Sequence, residues 1–468
     1  MKSVSRNYIY NTAYNILNII IPLATAPYLA RILGTEGVGI YAYYFAIAQY
    51  FTLFAKLGLT NYGTRHLAIV RDNEKKLITE FSTLYTMQIT VSMIVSLLYI
   101  CFVLLFAKEK VLASIFVVWV ISVAFDIDWF LFAIEDFKSA AIRNCLVKGI
   151  AAFTIFIIVR SKDDIWKYAV ITSFSYALGY IYLWIKCKKF ISLKYIDKKK
   201  VLSHIKPCMV LMIPVIALSI YRSMDKVMLG ILSNMEQTGL YEYAEKIVYC
   251  LTAFISSFGQ VMMPRMTNLA AKNDRKTSVS YIHNSMSFIM FLSVGMCFGL
   301  MSISDSLVPI LYGKGFHGSI ILMKLLSITL IFIAWGNVIR SQYVIPNKKD
   351  KIYICSISIG ALCNLLINAV MIPFYGAIGA CIGTIIAELS VPIFQAIVLR
   401  KELQYKKMFI KAIPFLIFGI GMYLICEFLQ HYTGIGLKTM ITQVFVGGVV
   451  YSGLSLIYMK KGLKIIKT

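Results

Sequence analysis

Apolar runs of 18 residues or more recur from one end of this chain to the other. Each is long enough to cross the hydrocarbon layer of a bilayer as a helix. Fourteen such spans are expected, near 8–32, 38–60, 80–106, 112–133, 145–160, 165–186, 207–232, 240–264, 282–312, 319–345, 352–373, 378–399, 412–431 and 438–459. The chain is 59% hydrophobic, against about 45–50% for soluble domains. No stretch between the runs is long and polar enough to fold as a separate soluble domain. The fold class expected is therefore an all-α polytopic membrane protein. The first run follows Lys2 and Arg6, as in a cleaved leader. Asn11, Asn15 and Asn18 within it, and its continuation past Ala26, argue for a first span instead.

Charge placement tests the count. With the N-terminus in the cytoplasm, the segments expected inside carry 34 lysines and arginines and those expected outside carry 8. The positive-inside rule predicts this asymmetry. One missed span would scramble it, so an even number of spans and two cytoplasmic termini are expected. The net charge of +25 is then a topology signal, with anionic lipid headgroups as counter-charge. It is not a nucleic-acid surface, because the cations lie in short tethers. No CxxC pair occurs among the ten cysteines and the five histidines are dispersed. Neither a disulfide framework nor a metal site is expected. The absence of GxxxxGK[ST], HExxH and G-x-S-x-G leaves no ATP site or hydrolase motif, so no cofactor is expected.

Two stretches echo each other. "LGTEGVGIYAYYFAI" (33–47) and "LGILSNMEQTGLYEYAEKI" (229–247) both read Leu-Gly, a polar turn, Gly-apolar-Tyr. "DFKSAAIRNCLVKGI" (136–150) and "NKKDKIYICSISIGA" (347–361) form a second pair. Both shifts equal six spans, which preserves orientation and predicts two parallel six-helix lobes. The expected divisions are 1–206, 207–399 and a C-terminal helix pair, 400–468.

Charges inside spans single out candidate residues. In "IYRSMDKVMLGIL" (220–232), Arg222, Asp225 and Lys226 fall near the middle of span seven. Each costs about 2.5–3.5 kcal/mol at a helix centre. Ser219, Arg222, Ser223 and Lys226 share one helical face, with Asp225 on its flank. Two readings stay open: an Arg222–Asp225 pair that only fixes packing, or a net positive wall for an anionic substrate. Arg31, Lys56 and Lys246 are further cation candidates. Lys56 and Lys246 are near enough to helix ends to snorkel, and Glu242 is spaced to pair with Lys246. Asn11, Tyr14, Asn15 and Asn18 form an amide stripe suited to sugar hydroxyls or to interhelical packing. Pro22 and Pro27 are expected to kink that span. Asp225, Glu245 and Glu388 are candidate ion-coupling acids. Lys324 is expected at the outer interface. Asp126-x-Asp128 has the form of a glycosyltransferase metal site. On a continuous helix the two side chains diverge, and Asp128 is expected at a hydrated boundary. Gly379 and Gly383 have close-packing spacing.

"APYLARILGTEGVGIYAYYFAIAQY", "DIDWFLFAIEDF", "RSMDKVMLGIL…TGLYEYAEKI" and "IPFYGAIGACIGTIIAE" resemble the polysaccharide-transporter branch of the MOP superfamily, the Wzx-type O-antigen and capsule flippases. The resemblance runs over nearly the whole chain. It implies two six-helix lobes in a V around a central cavity, plus two C-terminal helices. It implies flipping of undecaprenyl-diphosphate-linked glycan across the bacterial inner membrane by alternating access, coupled to an ion gradient. The polysaccharide polymerase and membrane lipids are the implied partners. A diphosphate needs Arg or Lys, which the span-seven stripe offers. A multidrug antiporter of the same superfamily is the alternative, although cationic drugs favour an acidic cavity. A membrane enzyme would need a sizeable outer loop, and every outer loop is short.

Overall fold

The computed structural model describes the backbone of residues 2–187 and 198–465, and side chains from residue 20 to 460 except 137, 186, 188–199 and 221. The described residues are helical nearly throughout and include no strand. The first half holds α1 (Lys2–Lys56), α2 (Leu59–Val70), α3 (Glu74–Leu105), α4 (Lys110–Ser122), α5 (Asp128–Ala133), α6 (Phe137–Ile158), α7 (Ile165–Cys187) and α8 (Lys198–Ser203). Then follow α9 (Ile205–Leu232), α10 (Met235–Ala271), α11 (Arg275–Tyr312), α12 (Ser319–Ser327) and α13 (Thr329–Ile339). The chain closes with α14 (Asp350–Val398), α15 (Tyr405–Thr433) and α16 (Leu437–Ile465).

Twelve described stretches are long and apolar enough to cross a membrane. Two of them, Ile20–Val70 with 51 residues and Asp350–Val398 with 49, are too long for one crossing. At 1.5 Å per residue each extends about 75 Å, over twice the ~30 Å hydrocarbon thickness. Each breaks where a glycine takes positive φ, Gly34 (69°) and Gly376 (54°). Two crossings apiece restore about fourteen spans. The backbone of α1 keeps helical dihedrals through Pro22 and Pro27 and leaves them at Gly34. Only glycine enters that conformation without a Cβ penalty. Beyond the Gly376 turn the two arms pack on each other. Gly379 lies against the Met371 carbonyl, and Gly383 faces the Asn368 amide with no room for a Cβ. The expected close-packing glycines thus close a hairpin within one helix pair.

Helix junctions recur along the chain. Gly34 matches the α9–α10 break at Asn234, 200 residues on. The α3 cap Asn73 accepts from the Lys76 N–H, and the α11 cap Asp274 accepts from the Thr277 N–H. Glu135 before α6 and Lys348 before α14 both have positive φ. Six-span repetition is therefore carried by backbone punctuation more clearly than by side-chain identity.

The chain divides into two compact units, Met1–Val227 and Met228–Thr468. The first unit is knitted by aromatic rings. Phe45 stacks on Trp119 at 4.8 Å between centroids, and Trp119 on Tyr176 at 4.6 Å. Its second cluster joins Leu59, Phe81, Leu84, Trp129 and Phe130. In the second unit α15 and α16 pack on α11, where Gly419 meets Val294 and Phe298 and Gly295 meets Tyr451. Small residues let helices approach closely where lipid offers no hydrophobic drive between them.

Candidate functional site

The polar stripe of α9 is tethered to the second arm of α1, inside the first unit. Ser223 Oγ donates to Gln49 Oε1 at 3.2 Å, and the Tyr50 hydroxyl donates to the Ser219 carbonyl at 3.0 Å. Tyr50 is within electrostatic reach of Asp225 and Lys226. Asp225 is 1% exposed, whereas Arg222 is exposed and Lys226 partly buried. One helix therefore turns its acid inward and its guanidinium outward. Gln49 and Tyr50 were not among the residues the sequence singled out. The available signal was an amide beside a tyrosine within an apolar span, a pair that needs a polar neighbour.

Arg31 is exposed one turn before the Gly34 break. Tyr28 anchors that turn by donating to the Val159 carbonyl at 2.7 Å and the Phe156 carbonyl at 3.0 Å. The side chains of Asn11, Tyr14, Asn15 and Asn18 lie outside the described residues.

Lys56, one of the further cation candidates, is paired with an acid. Its Nζ is 2.5 Å from Asp126 Oδ2, and Asp126 is 3% exposed. Asp128 meets Arg143 through both carboxylate oxygens, at 2.9 and 3.1 Å. Lys56 and Arg143 both stand over the Tyr180 ring, at 5.7 and 5.8 Å. The expected continuous helix through Asp126 and Asp128 is instead broken. Residues Val123–Phe125 form a 3-10 turn and Asp126 is extended. Around the break each carboxylate of the i, i+2 pair reaches its own cation, Asp126 to Lys56 and Asp128 to Arg143. Asp128, partly exposed, is thus an ion-pair partner of Arg143.

Breaking a helix at membrane depth frees carbonyls that must find donors. Gln88 Nε2 donates to the Val123 and Asp126 carbonyls at 2.8 and 2.7 Å. Trp184 Nε1 donates to the Phe125 carbonyl at 2.9 Å. Gln88 Oε1 in turn accepts from Trp129 Nε1 at 2.8 Å. Two cations, two acids and a satisfied backbone make this a closed network.

In the second unit Lys246 pairs with Glu242 at 3.0 Å, as their spacing predicted, and lies over Tyr243 at 4.6 Å. Tyr241 and Thr384 share a hydrogen bond of 2.9 Å. Glu245 and Glu388 each lie one turn beyond a member of that bond and are partly buried. Lys324 is ion-paired twice. It contacts Asp305 at 2.6 Å and Glu427 at 3.5 Å, joining α12 to α11 and α15.

A family model described as "Polysaccharide biosynthesis protein" matches residues 4–270, more than half of the chain. The chain belongs to this family. The match takes in α9 with its stripe and the broken segment at Asp126–Asp128. The chain is 24% identical over 391 residues to a "Putative O-antigen transporter" of Escherichia coli K12, covering 82% of this chain and 94% of that one. Its fold is that of "Lipid II flippase MurJ, inward closed conformation", with TM-score 0.72, 17% identity, and 97% and 100% of the two chains covered. An inward-facing multidrug resistance MATE family transporter of the MOP superfamily aligns with TM-score 0.62 and 12% identity, over 83% of this chain and 94% of that one. The chain is therefore a multi-pass membrane protein with the transporter fold these structures share.

Proposed function

We propose that this protein flips a lipid-linked glycan, carried on undecaprenyl diphosphate, across the bacterial cytoplasmic membrane by alternating access. The observation that carries the reading is the α9 stripe. Two cations and one acid occupy a membrane-crossing helix, with Arg222 exposed and Asp225 buried. A guanidinium is costly against lipid and favourable against a hydrated diphosphate, which it binds through paired N–H donors. Arg222 and Lys226 take the diphosphate, with Arg31 as a further contact. The sugars engage Asn11, Tyr14, Asn15 and Asn18. Asp225, Glu245 and Glu388 are the residues to test for ion coupling. Lys56 and Lys246 act through their carboxylate partners, as positioning charges.

The family membership and the name of the Escherichia coli relative support a glycan substrate. On this reading both termini are cytoplasmic, the lobes are 1–206 and 207–399 with 400–468 appended, the polysaccharide polymerase receives the product, and the protein catalyses no covalent step. Deleting the gene is expected to trap lipid-linked glycan on the inner leaflet, read by lipid analysis. Complementation with flippases of known sugar specificity then identifies the glycan. Normal surface polysaccharide in the deletion strain would refute the proposal. The alternative is a multidrug antiporter, whose fold the MATE likeness shares. Asp225→Asn changing drug susceptibility with polysaccharide unaltered would favour it.

A further inference from the structure

Away from the α9 stripe, two histidines and a glutamate converge where α2, α3 and the start of α9 meet. His66 lies on α2, Glu80 on α3, and His204 immediately before α9. One ligand atom from each lies within 4.8 Å of the others. His66 Nε2 is 2.8 Å from Glu80 Oε2, and His204 Nε2 is 3.7 Å from the same oxygen. Ligand atoms about 2.1 Å from a tetrahedral ion stand about 3.4 Å apart. The two distances bracket that value, so small rotamer shifts would seat an ion.

The surroundings fit a metal as well. The Tyr62 hydroxyl is 2.7 Å from His204 Nδ1. With the proton on Nδ1, donated to the tyrosine oxygen, Nε2 presents its lone pair toward Glu80. Such an outer partner is what orients a metal-ligating imidazole. Lys200 approaches the other oxygen of Glu80, Oε1, at 3.4 Å and leaves Oε2 to the site. His204 is 5% exposed, and His66 and Glu80 are partly buried, which limits competition from water.

We propose that His66, Glu80 and His204 bind one first-row divalent cation, with zinc as the best match to two imidazoles and a carboxylate. On binding, the His66–Glu80 hydrogen bond is exchanged for two ligand bonds and the His66 proton moves to Nδ1. The ion joins α2 and α3 to the base of α9, the helix that carries Arg222. The site is independent of the substrate reading.

The test uses tag-free, full-length protein in detergent, stripped with chelator and titrated with zinc by calorimetry, alongside metal counting and thermal unfolding. One zinc per chain and a raised unfolding midpoint are expected. His204→Gln or Glu80→Gln lowers affinity by more than about a hundredfold, and Tyr62→Phe by about tenfold. The glutamine and phenylalanine replacements conserve volume, and monodisperse elution shows that each variant folds. Wild type that binds no zinc, or a folded His66→Gln/His204→Gln double variant that binds as wild type does, overturns the proposal.

Discussion

The Lys56–Asp126–Asp128–Arg143 network and the α9 stripe both place charge inside membrane-crossing helices, yet they are built in opposite ways. The network balances two cations with two acids at 2.5 to 3.1 Å, and Gln88 and Trp184 satisfy the carbonyls freed by its broken helix. The stripe has two cations for one acid, and its guanidinium is exposed. A balanced, enclosed set has no charge left for a ligand and serves the architecture. An exposed guanidinium on a membrane-crossing helix is costly against lipid and favourable where an anion or water meets it. On the proposed reading, charge balance, more than charge count, separates scaffold from site.

The contrast is open to attack by substitution. The largest effect is expected for Lys56→Met, which strands the buried Asp126 carboxylate at a cost of about 3–5 kcal/mol. It should appear as a lowered thermal midpoint in detergent. Lys56→Met/Asp126→Leu should recover most of the loss, because removing both charges removes the imbalance. A double variant no more stable than the single one would count against a structural role. Gln88→Leu comes next. It removes three hydrogen bonds while each group keeps a second partner. The Val123 carbonyl keeps the Asp126 N–H at 3.0 Å, and Trp129 Nε1 keeps the Asp126 carbonyl at 3.2 Å. About 3 kcal/mol is therefore expected, at about 1 kcal/mol per lost bond.

Arg222→Ala should leave the thermal midpoint almost unchanged while weakening diphosphate recognition by about 2 kcal/mol. That corresponds to roughly thirtyfold slower complementation or transport at limiting substrate. If its main effect were on stability, the stripe would belong with the network. Lys246→Ala is the smallest. Its partner lies one turn away on the same helix, so under about 1 kcal/mol is expected by thermal unfolding.

Much of the fold was legible because a bilayer imposes a length rule and a charge rule on the sequence. Six-span repetition was visible in Gly39/Tyr41 and Gly239/Tyr241, and the structure shows why: both follow a tight helix junction, at Gly34 and at Asn234. The Lys246–Glu242 pair was legible because it is local, at i, i+4. The Lys56–Asp126 pair was not, because 70 residues separate its members and the helix break at Val123–Asp126 has no proline or glycine to announce it. Gln88 was not singled out, because the carbonyls it serves lie 35 and 38 residues away in sequence. The His66–Glu80–His204 cluster joins segments that no metal-ligand spacing connects.

The most direct measurement compares proteoliposome transport of fluorescent glycolipids that differ only in carrying one phosphate or two. Wild type is expected to favour the diphosphate lipid by at least about tenfold, and Arg222→Ala, equally stable, to lose that preference. Equal rates for the two lipids in wild type, or an undiminished preference in the variant, would contradict a diphosphate site on α9.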